Sequence, residues 1–425
     1  MIEVKKIGYF FRDFNKNGGV PKDVEGLANS IAPNGVEVVV YSVGKGKREL
    51  CNEAGVTVQN YKKSLPGYIK LFIDITKNKD NIDVIHAFVL FIPVNFLVFL
   101  AAKIASIPFI MTPNCVLHKE VMNGKLFFSN KNVAWLGDQG GWFEAFLGNR
   151  FTTIVKLKSK LLKKYFLMFF GKKMMQSAEG IHFASKFEKK HAEEYVGVLD
   201  VPSLISSWPS KVWIKDKNIG QHSGSYYADE FDSLNMINIV FWSRIDFHFK
   251  GIDIMVESIR RASEKTDLSV VIYLIGPDYQ GGVQKVSEYI NKYDLEKHIK
   301  IVDFESVYPS VEPLVDADAN IVLSKCDGVL RTVRESMHFG LPQIISEGTQ
   351  FGDVVEKYNA GFVVSTEDQT DAVNSLSQFF VDVSLDSNIL SKMKKNAINA
   401  AESLKDPVIS KVYLNYYSNI VNRLN

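Results

Sequence analysis

The sequence predicts an α/β protein of two Rossmann-like domains, each a parallel sheet covered by helices. Its 425 residues exceed what one hydrophobic core usually organises. Short β-branched runs also alternate with amphipathic stretches, and the alternation occurs twice along the chain. In the first half the strand-like runs are Lys5 to Phe11, Glu37 to Val43, Val84 to Phe88, Phe109 to Thr112 and Gly180 to Ala184. In the second half they are Asn238 to Ser243, Leu268 to Ile275, Ile299 to Phe304, Ala319 to Leu323 and Gln343 to Ser346. The expected organisation is a first domain over 1–205, a linker with a surface loop over 206–235, a second domain over 236–405, and a C-terminal helix over 406–425. The linker, which contains Gln221-His222-Ser223-Gly224-Ser225, mixes Ser, Gly, Asp and Lys with little periodicity. In the last segment Val412, Tyr416, Ile420 and Leu424 recur at helical spacing, so the helix should pack against a surface, and the first domain is the expected one.

One apolar stretch, Phe88 to Met111, is about long enough to cross a bilayer, but Pro93, Asn95, Lys103 and Pro108 interrupt it. It parses instead as a strand Asp83 to Phe88, a helix Ile92 to Ile107 and a strand Phe109 to Thr112.

The composition is that of a folded globular protein, with 23% charged and 46% hydrophobic residues and a net charge of +2. Cys51, Cys115 and Cys326 are widely spaced and match no zinc pattern, so reduced thiols and no metal site are expected. The N-terminus runs straight into a strand without the apolar core of a signal peptide, and the expected location is the cytoplasm. From Arg150 to Ala178 there are eight basic residues and no acid. Within that segment Leu157, Leu161, Tyr165 and Phe169 recur every four residues beside Lys156, Lys160, Lys163 and Lys164. Such a helix either lies on an anionic membrane surface or packs on the core with a solvated lysine face. No recognition motif accompanies it, so nucleic acid is not an expected partner.

The densest chemistry lies in Ser324-Lys325-Cys326-Asp327-Gly328-Val329-Leu330-Arg331-Thr332-Val333-Arg334-Glu335, which reads as strand, loop and helix before the stop at Gly340 and Pro342. Backbone N–H groups near Val329 to Arg331 would point into the loop, as at helix N-termini that hold phosphate. A carboxylate beside a phosphate repels it unless the same ligand offers hydroxyl groups, and a nucleotide sugar offers both. Arg244, just past a strand end, and Lys250, at a helix start, can face the crevice at the carboxyl ends of the strands. There they could neutralise a diphosphate without a metal, Arg as a fork and Lys as a point charge.

With these residues the chain resembles the retaining, metal-independent glycosyltransferases of the two-Rossmann GT-B fold, specifically their large fourth family, over most of its length. Arg244 to Lys250-Gly251 matches an R-x5-K-G pattern, Asp327 to Glu335 stands where the family has E-x7-E, and Glu335-Ser336-Met337-His338-Phe339-Gly340-Leu341-Pro342 is similar to E-A-M-A-x-G-x-P. Gly18-Gly19 before the helix around Leu27 and Ala28 resembles the glycine-rich first loop, and Asp83-Val84-Ile85-His86 the D-x-I-H strand. The resemblance implies two domains facing a cleft. It also implies a nucleotide-diphosphate sugar as co-substrate, a glycan or lipid-linked acceptor, no cofactor, and a role in surface-polysaccharide or glycoconjugate assembly. It assigns Arg244 and Lys250 to the donor diphosphate, Glu335 to the ribose hydroxyls and Asp327 to hydroxyls of the transferred sugar. Gly18, Gly19, Gly328, Val329, Leu330 and Arg331 would bring backbone to the diphosphate, a role that glycine suits because no Cβ blocks the approach.

The chain departs from the family in three places. Asp327 is one methylene shorter than Glu, and Val329-Leu330-Arg331 replaces smaller residues, adding a cation and a bulkier wall. The family histidine that touches the donor sugar corresponds either to Asn114 or, by a local shift, to His118. His248, between the two cations, reads as a loop residue. The alternatives are a non-catalytic subunit of the same fold that binds a partner transferase or glycan, and another enzyme of that fold, such as a nucleotide-sugar epimerase. A phosphorylase of the pyridoxal phosphate type would need a lysine motif that is not found.

Overall fold

The computed structural model describes residues 3–12, 14, 19–44, 55–90, 93–114, 170–209, 236–307, 312–327 and 330–424. The chain divides into two compact units, Met1–Pro209 together with Asp406–Asn425, and Ser210–Lys405. The segment 210–235, where most of the expected linker falls, lies outside the described residues.

The first unit is built on seven parallel strands: β1 (Lys6–Phe10), β2 (Glu37–Val43), β3 (Val56–Tyr61), β4 (Val84–Phe88), β5 (Phe109–Thr112), β6 (Gly180–Phe183) and β7 (Ser203–Ile205). Their order is β3-β2-β1-β4-β5-β6-β7. The second unit holds six: β8 (Ile237–Trp242), β9 (Val270–Ile275), β10 (Ile299–Val302), β11 (Ala319–Val322), β12 (Gln343–Ser346) and β13 (Gly361–Val364), ordered β10-β9-β8-β11-β12-β13. Each is a doubly wound sheet whose strand order reverses beside its first strand, between β1 and β4 and between β8 and β11. The α/β architecture of two Rossmann-like units is therefore the one expected from the alternation.

Central strands of such sheets are covered on both faces, which is why they read as continuous apolar runs. All six residues of β9, Val-Val-Ile-Tyr-Leu-Ile, are buried. On one face Val271, Tyr273 and Ile275 pack with Val240, Val307, Leu314, Ala317 and Leu341 in one cluster. The stretch that could have spanned a bilayer runs from the end of β4 through the helix Pro93–Ile104 into β5, and among the described residues no helix is long and apolar enough to cross a membrane.

The last helix, Asp406–Leu424, packs on the first unit, against the helix Gly19–Ile31 and strands β1 and β6. Its buried stripe differs from the expected one. Ile409, Tyr413, Tyr416, Tyr417 and Ile420 face the unit, whereas Val412 and Leu424 are exposed. Three hydroxyl groups explain the rotation, because Tyr413, Tyr416 and Tyr417 all find hydrogen-bond partners only inside. Tyr416 donates to the carbonyls of Ile181 and Pro202 at 3.1 and 2.9 Å. A Cβ at Gly180 would stand 2.3 Å from that hydroxyl, so only glycine admits the ring there.

Candidate functional site

The loops after β8 and after β11 leave neighbouring strands at the point where the second sheet reverses, the position where open α/β sheets take their ligands. The first loop runs from Ser243 to Gly251, ahead of the helix Ile252–Ser263. It turns on itself, with Asp246 accepting from the Phe249 amide at 3.2 Å and the Lys250 amide donating to the Asp246 carbonyl at 3.1 Å. Gly251, at φ +66°, caps the helix, so Lys250 precedes the helix rather than starting it. A Cβ on Gly251 would lie 2.2 Å from the Leu323 carbonyl oxygen, so the missing side chain lets the two loops lie against each other. The Lys325 amide completes the junction by donating to the Phe249 carbonyl at 3.0 Å.

This junction brings Lys250 to Asp327. Lys250 is 4% exposed, and its ammonium donates to Asp327 Oδ2, which also accepts from the Ser324 hydroxyl at 3.3 Å. Burying an ammonium is costly without a carboxylate partner, and Asp327 is that partner. The Asp327 amide is itself held by the Gly348 carbonyl at 2.8 Å. Arg244 stands differently. Its side chain is 43% exposed, with the guanidinium 4.5 Å from the Tyr279 ring centre and 5.3 Å from that of Phe249. Two aromatic rings thus hold a planar cation whose nearest carboxylate, Asp246, is 3.6 Å away.

The helix Arg331–His338 follows with Leu330 at its cap, where no side chain closes the cap, and with no acid in the first turn. Its leading N–H groups give this end partial positive charge. One turn in, Glu335 accepts from Arg331 at 3.2 Å, four residues apart on the same face. The added cation of this loop is therefore set against the acid expected to meet a ribose. Nearby, Asp253 accepts from both Lys325 and His248, each at 3.2 Å, so His248 belongs to a second charged cluster on the same two loops.

Arg244, Lys250, Asp327, Leu330, Arg331 and Glu335 are thus carried by one sheet edge, in one unit. Gly328 and Val329 lie outside the described residues, as do Gly18 and His118. Gly19 opens the helix Gly19–Ile31 after β1 in the other unit. Asn114 is 9% exposed at φ +60°, a backbone conformation that asparagine tolerates. Of the basic segment only residues 170–178 are described, where Lys172 and Lys173 are exposed. Cys326 is buried and in no disulfide among the described residues, while Cys51 and Cys115 are outside the described residues. Lys325 and Asp253 were not among the expected site residues. Asp253 does stand two residues beyond Lys250-Gly251 in sequence, but lone acids in helix first turns are common.

Residues 233–400 match the model of the family described as glycosyl transferases group 1. No curated protein matches the sequence significantly. Among solved structures, the chain is similar to Anabaena HepE in complex with UDP, at 15% identity and a TM-score of 0.64, with 99% of each chain covered. A glycosyltransferase from Rickettsia africae gives 16% identity and 0.63, covering 98% of each. A sucrose-phosphate synthase from Thermosynechococcus elongatus gives 12% and 0.62, covering 99% of this chain and 100% of its own. At such identities the likeness is one of fold, and it extends over both units.

Proposed function

We propose that this chain, which carries a glycosyl transferases group 1 domain over residues 233–400 on a GT-B fold, transfers a sugar from a nucleotide-diphosphate donor to a glycan or lipid-linked acceptor. The observation that carries the reading is the convergence of Arg244, Lys250, Asp327 and the Arg331–His338 helix start on the two loops beside the sheet reversal. A departing diphosphate carries growing negative charge, and cations and N–H dipoles already fixed in place stabilise it without reorganising. Arg244, backed by two rings, suits a bidentate grip on phosphate oxygens, and Lys250 supplies a point charge beside it. Glu335 is assigned to ribose hydroxyls and Asp327 to hydroxyls of the sugar, the latter through the oxygen not engaged by Lys250.

Transfer with retention and without a metal is the chemistry we assign. The bond from anomeric carbon to diphosphate oxygen breaks, the bond to the acceptor oxygen forms on the same face, and the departing phosphate takes the acceptor's proton. No protein base is then required. The pathway we assign is surface-polysaccharide or glycoconjugate assembly, with the chain peripheral at an anionic membrane surface through the basic segment 150–178. The exposed Lys172 and Lys173, next to a half-exposed Phe170, support that docking. Flotation on anionic vesicles at low salt, lost as salt rises, is the expected behaviour, and no flotation at low salt would remove the membrane part.

The test of the reaction is incubation with a panel of nucleotide sugars, following slow hydrolysis and nucleotide release. Arg244→Ala and Lys250→Ala should each remove most of the turnover while the fold persists. Near-normal turnover in both variants would overturn the assignment.

A further inference from the structure

The first unit contains a buried polar chain that the transfer chemistry does not use. Tyr9 on β1 and Tyr417 on the last helix place their hydroxyls 3.2 Å apart, and the Tyr417 hydroxyl lies 2.8 Å from His86 Nδ1 on β4. His86 Nε2 is 2.7 Å from the Thr112 hydroxyl on β5, which is 2.9 Å from His182 Nδ1 on β6. His182 Nε2 then lies 2.8 Å from the Ser206 carbonyl oxygen and 2.7 Å from the Tyr413 hydroxyl of the last helix. His86, Thr112 and His182 are all 0% exposed.

The far end of this chain orders every proton in it. A carbonyl only accepts, so His182 Nε2 carries hydrogen and gives it to Ser206, with the Tyr413 oxygen close enough to share it. In the neutral ring that burial favours, its Nδ1 is then the acceptor, and the Thr112 hydroxyl donates to it. Thr112 has no second proton, so its oxygen accepts from His86 Nε2–H. His86 Nδ1 in turn accepts from Tyr417, whose oxygen accepts from Tyr9. With both imidazoles neutral, one direction satisfies Tyr9, Tyr417, His86, Thr112, His182 and the Ser206 carbonyl together. Burial favours the same state, pushing His182 down to about 4 and His86 well below the usual histidine value, with the charge of His182 as the second cause for His86. The titratable groups facing the two rings are Tyr9, Tyr413, Tyr417 and each other. Among the described contacts neither ring meets a carboxylate or an ammonium.

The place of His182 in the chain path gives this order a use. The polypeptide leaves the first unit after Ser206, Trp208 and Pro209 and returns at Asp406. Trp208 is 1% exposed, with its ring 5.3 Å from that of His182 and 5.4 Å from that of Phe88. One imidazole therefore touches both covalent connections to the second unit. We propose that His182 is a positioning residue whose single Nε2–H fastens the departing segment and the returning helix to the first unit, with Thr112 and His86 holding it in the required tautomer. The link to turnover rests on the transferase reading; the fastening itself does not.

Thr112→Val tests this on the full chain, because it touches neither connecting segment and keeps the shape of the side chain. Amide hydrogen exchange in 203–208 and in 406–424 should quicken together, roughly fivefold or more, while Thr112→Ser restores the parent rates. Tyr417→Phe, which removes only a hydroxyl, should quicken exchange in 406–424. In the parent at neutral pH, ¹⁵N spectra should show both imidazoles neutral with hydrogen on Nε2. Well below the unfolding temperature, Thr112→Val should lower kcat severalfold with the KM for donor unchanged, because the proposed donor groups sit in the second unit. Exchange that quickens in neither segment or in only one, or hydrogen on Nδ1 of either ring, overturns the fastening. Quickened exchange with parental kcat reduces it to a purely structural bond. A parent without any transfer activity defeats the proposed function and leaves the exchange result to decide the fastening alone.

Discussion

Two polar clusters, one in each unit, are built on opposite electrostatic plans. In the second unit Arg244, Lys250, Asp327, Arg331 and Glu335 are charged, and Arg244 is partly open to solvent. In the first unit Tyr9, His86, Thr112, His182 and Tyr417 are neutral, buried and linked in one direction. A charged ligand is held best by charges already fixed in place that the ligand can still reach, whereas a fixed junction is made best from groups with no partner left to find. The contrast separates binding machinery from scaffolding more clearly than burial alone, since Lys250 is as buried as many core residues.

The largest expected effect breaks the charged cluster. Arg244→Ala and Lys250→Ala should each reduce transfer by about two orders of magnitude, as loss of a preorganised charge usually does, with circular dichroism unchanged. Next comes the backbone on which that cluster rests. Gly251→Ala puts a Cβ against the Leu323 carbonyl oxygen at positive φ, and chemical denaturation should show a loss of about 3 kcal/mol. Acid should act on the neutral cluster through its histidines. The folded-state pKa of His182 lies below its unfolded value, so the unfolded chain binds the extra proton. Its contribution is fully present above the ordinary histidine range and is lost as pH falls through the window down to about 4. Thermal unfolding should show a loss on the order of 2 kcal/mol between pH 7 and 4.5, and His182→Gln should flatten that part of the curve. The smallest effect marks the limit of the comparison. Lys6→Ala, which removes a surface pair with Glu37 at 2.8 Å, should change stability by less than about 0.5 kcal/mol.

Sequence reading succeeded and failed along a physical boundary. Glu37–Val43, Val84–Phe88, Phe109–Thr112 and Gln343–Ser346 were legible to the residue, because strands covered on both faces are dominated by short β-branched and apolar runs between turn residues. The three strands not anticipated, β3, β7 and β13, all lie at sheet edges. Val-Thr-Val-Gln-Asn-Tyr of β3 is half exposed, and its mixed composition follows from having one neighbour instead of two. Among the site residues, Arg244, Lys250, Asp327 and Glu335 could be named from spacing and resemblance. Their pairing could not, since the contact between Lys250 and Asp327 spans 77 residues and depends on the close approach at Gly251.

Local chemistry was enough to specify two parallel sheets covered by helices and the loops at their strand ends, because periodicity and glycine placement act over a few residues. Only the tertiary structure decided which face of the last helix turns inward, which carboxylate neutralises the buried lysine, and which imidazole nitrogens carry hydrogen. Each of those depends on partners far apart in sequence, and a buried polar group takes its state from the neighbours that satisfy it.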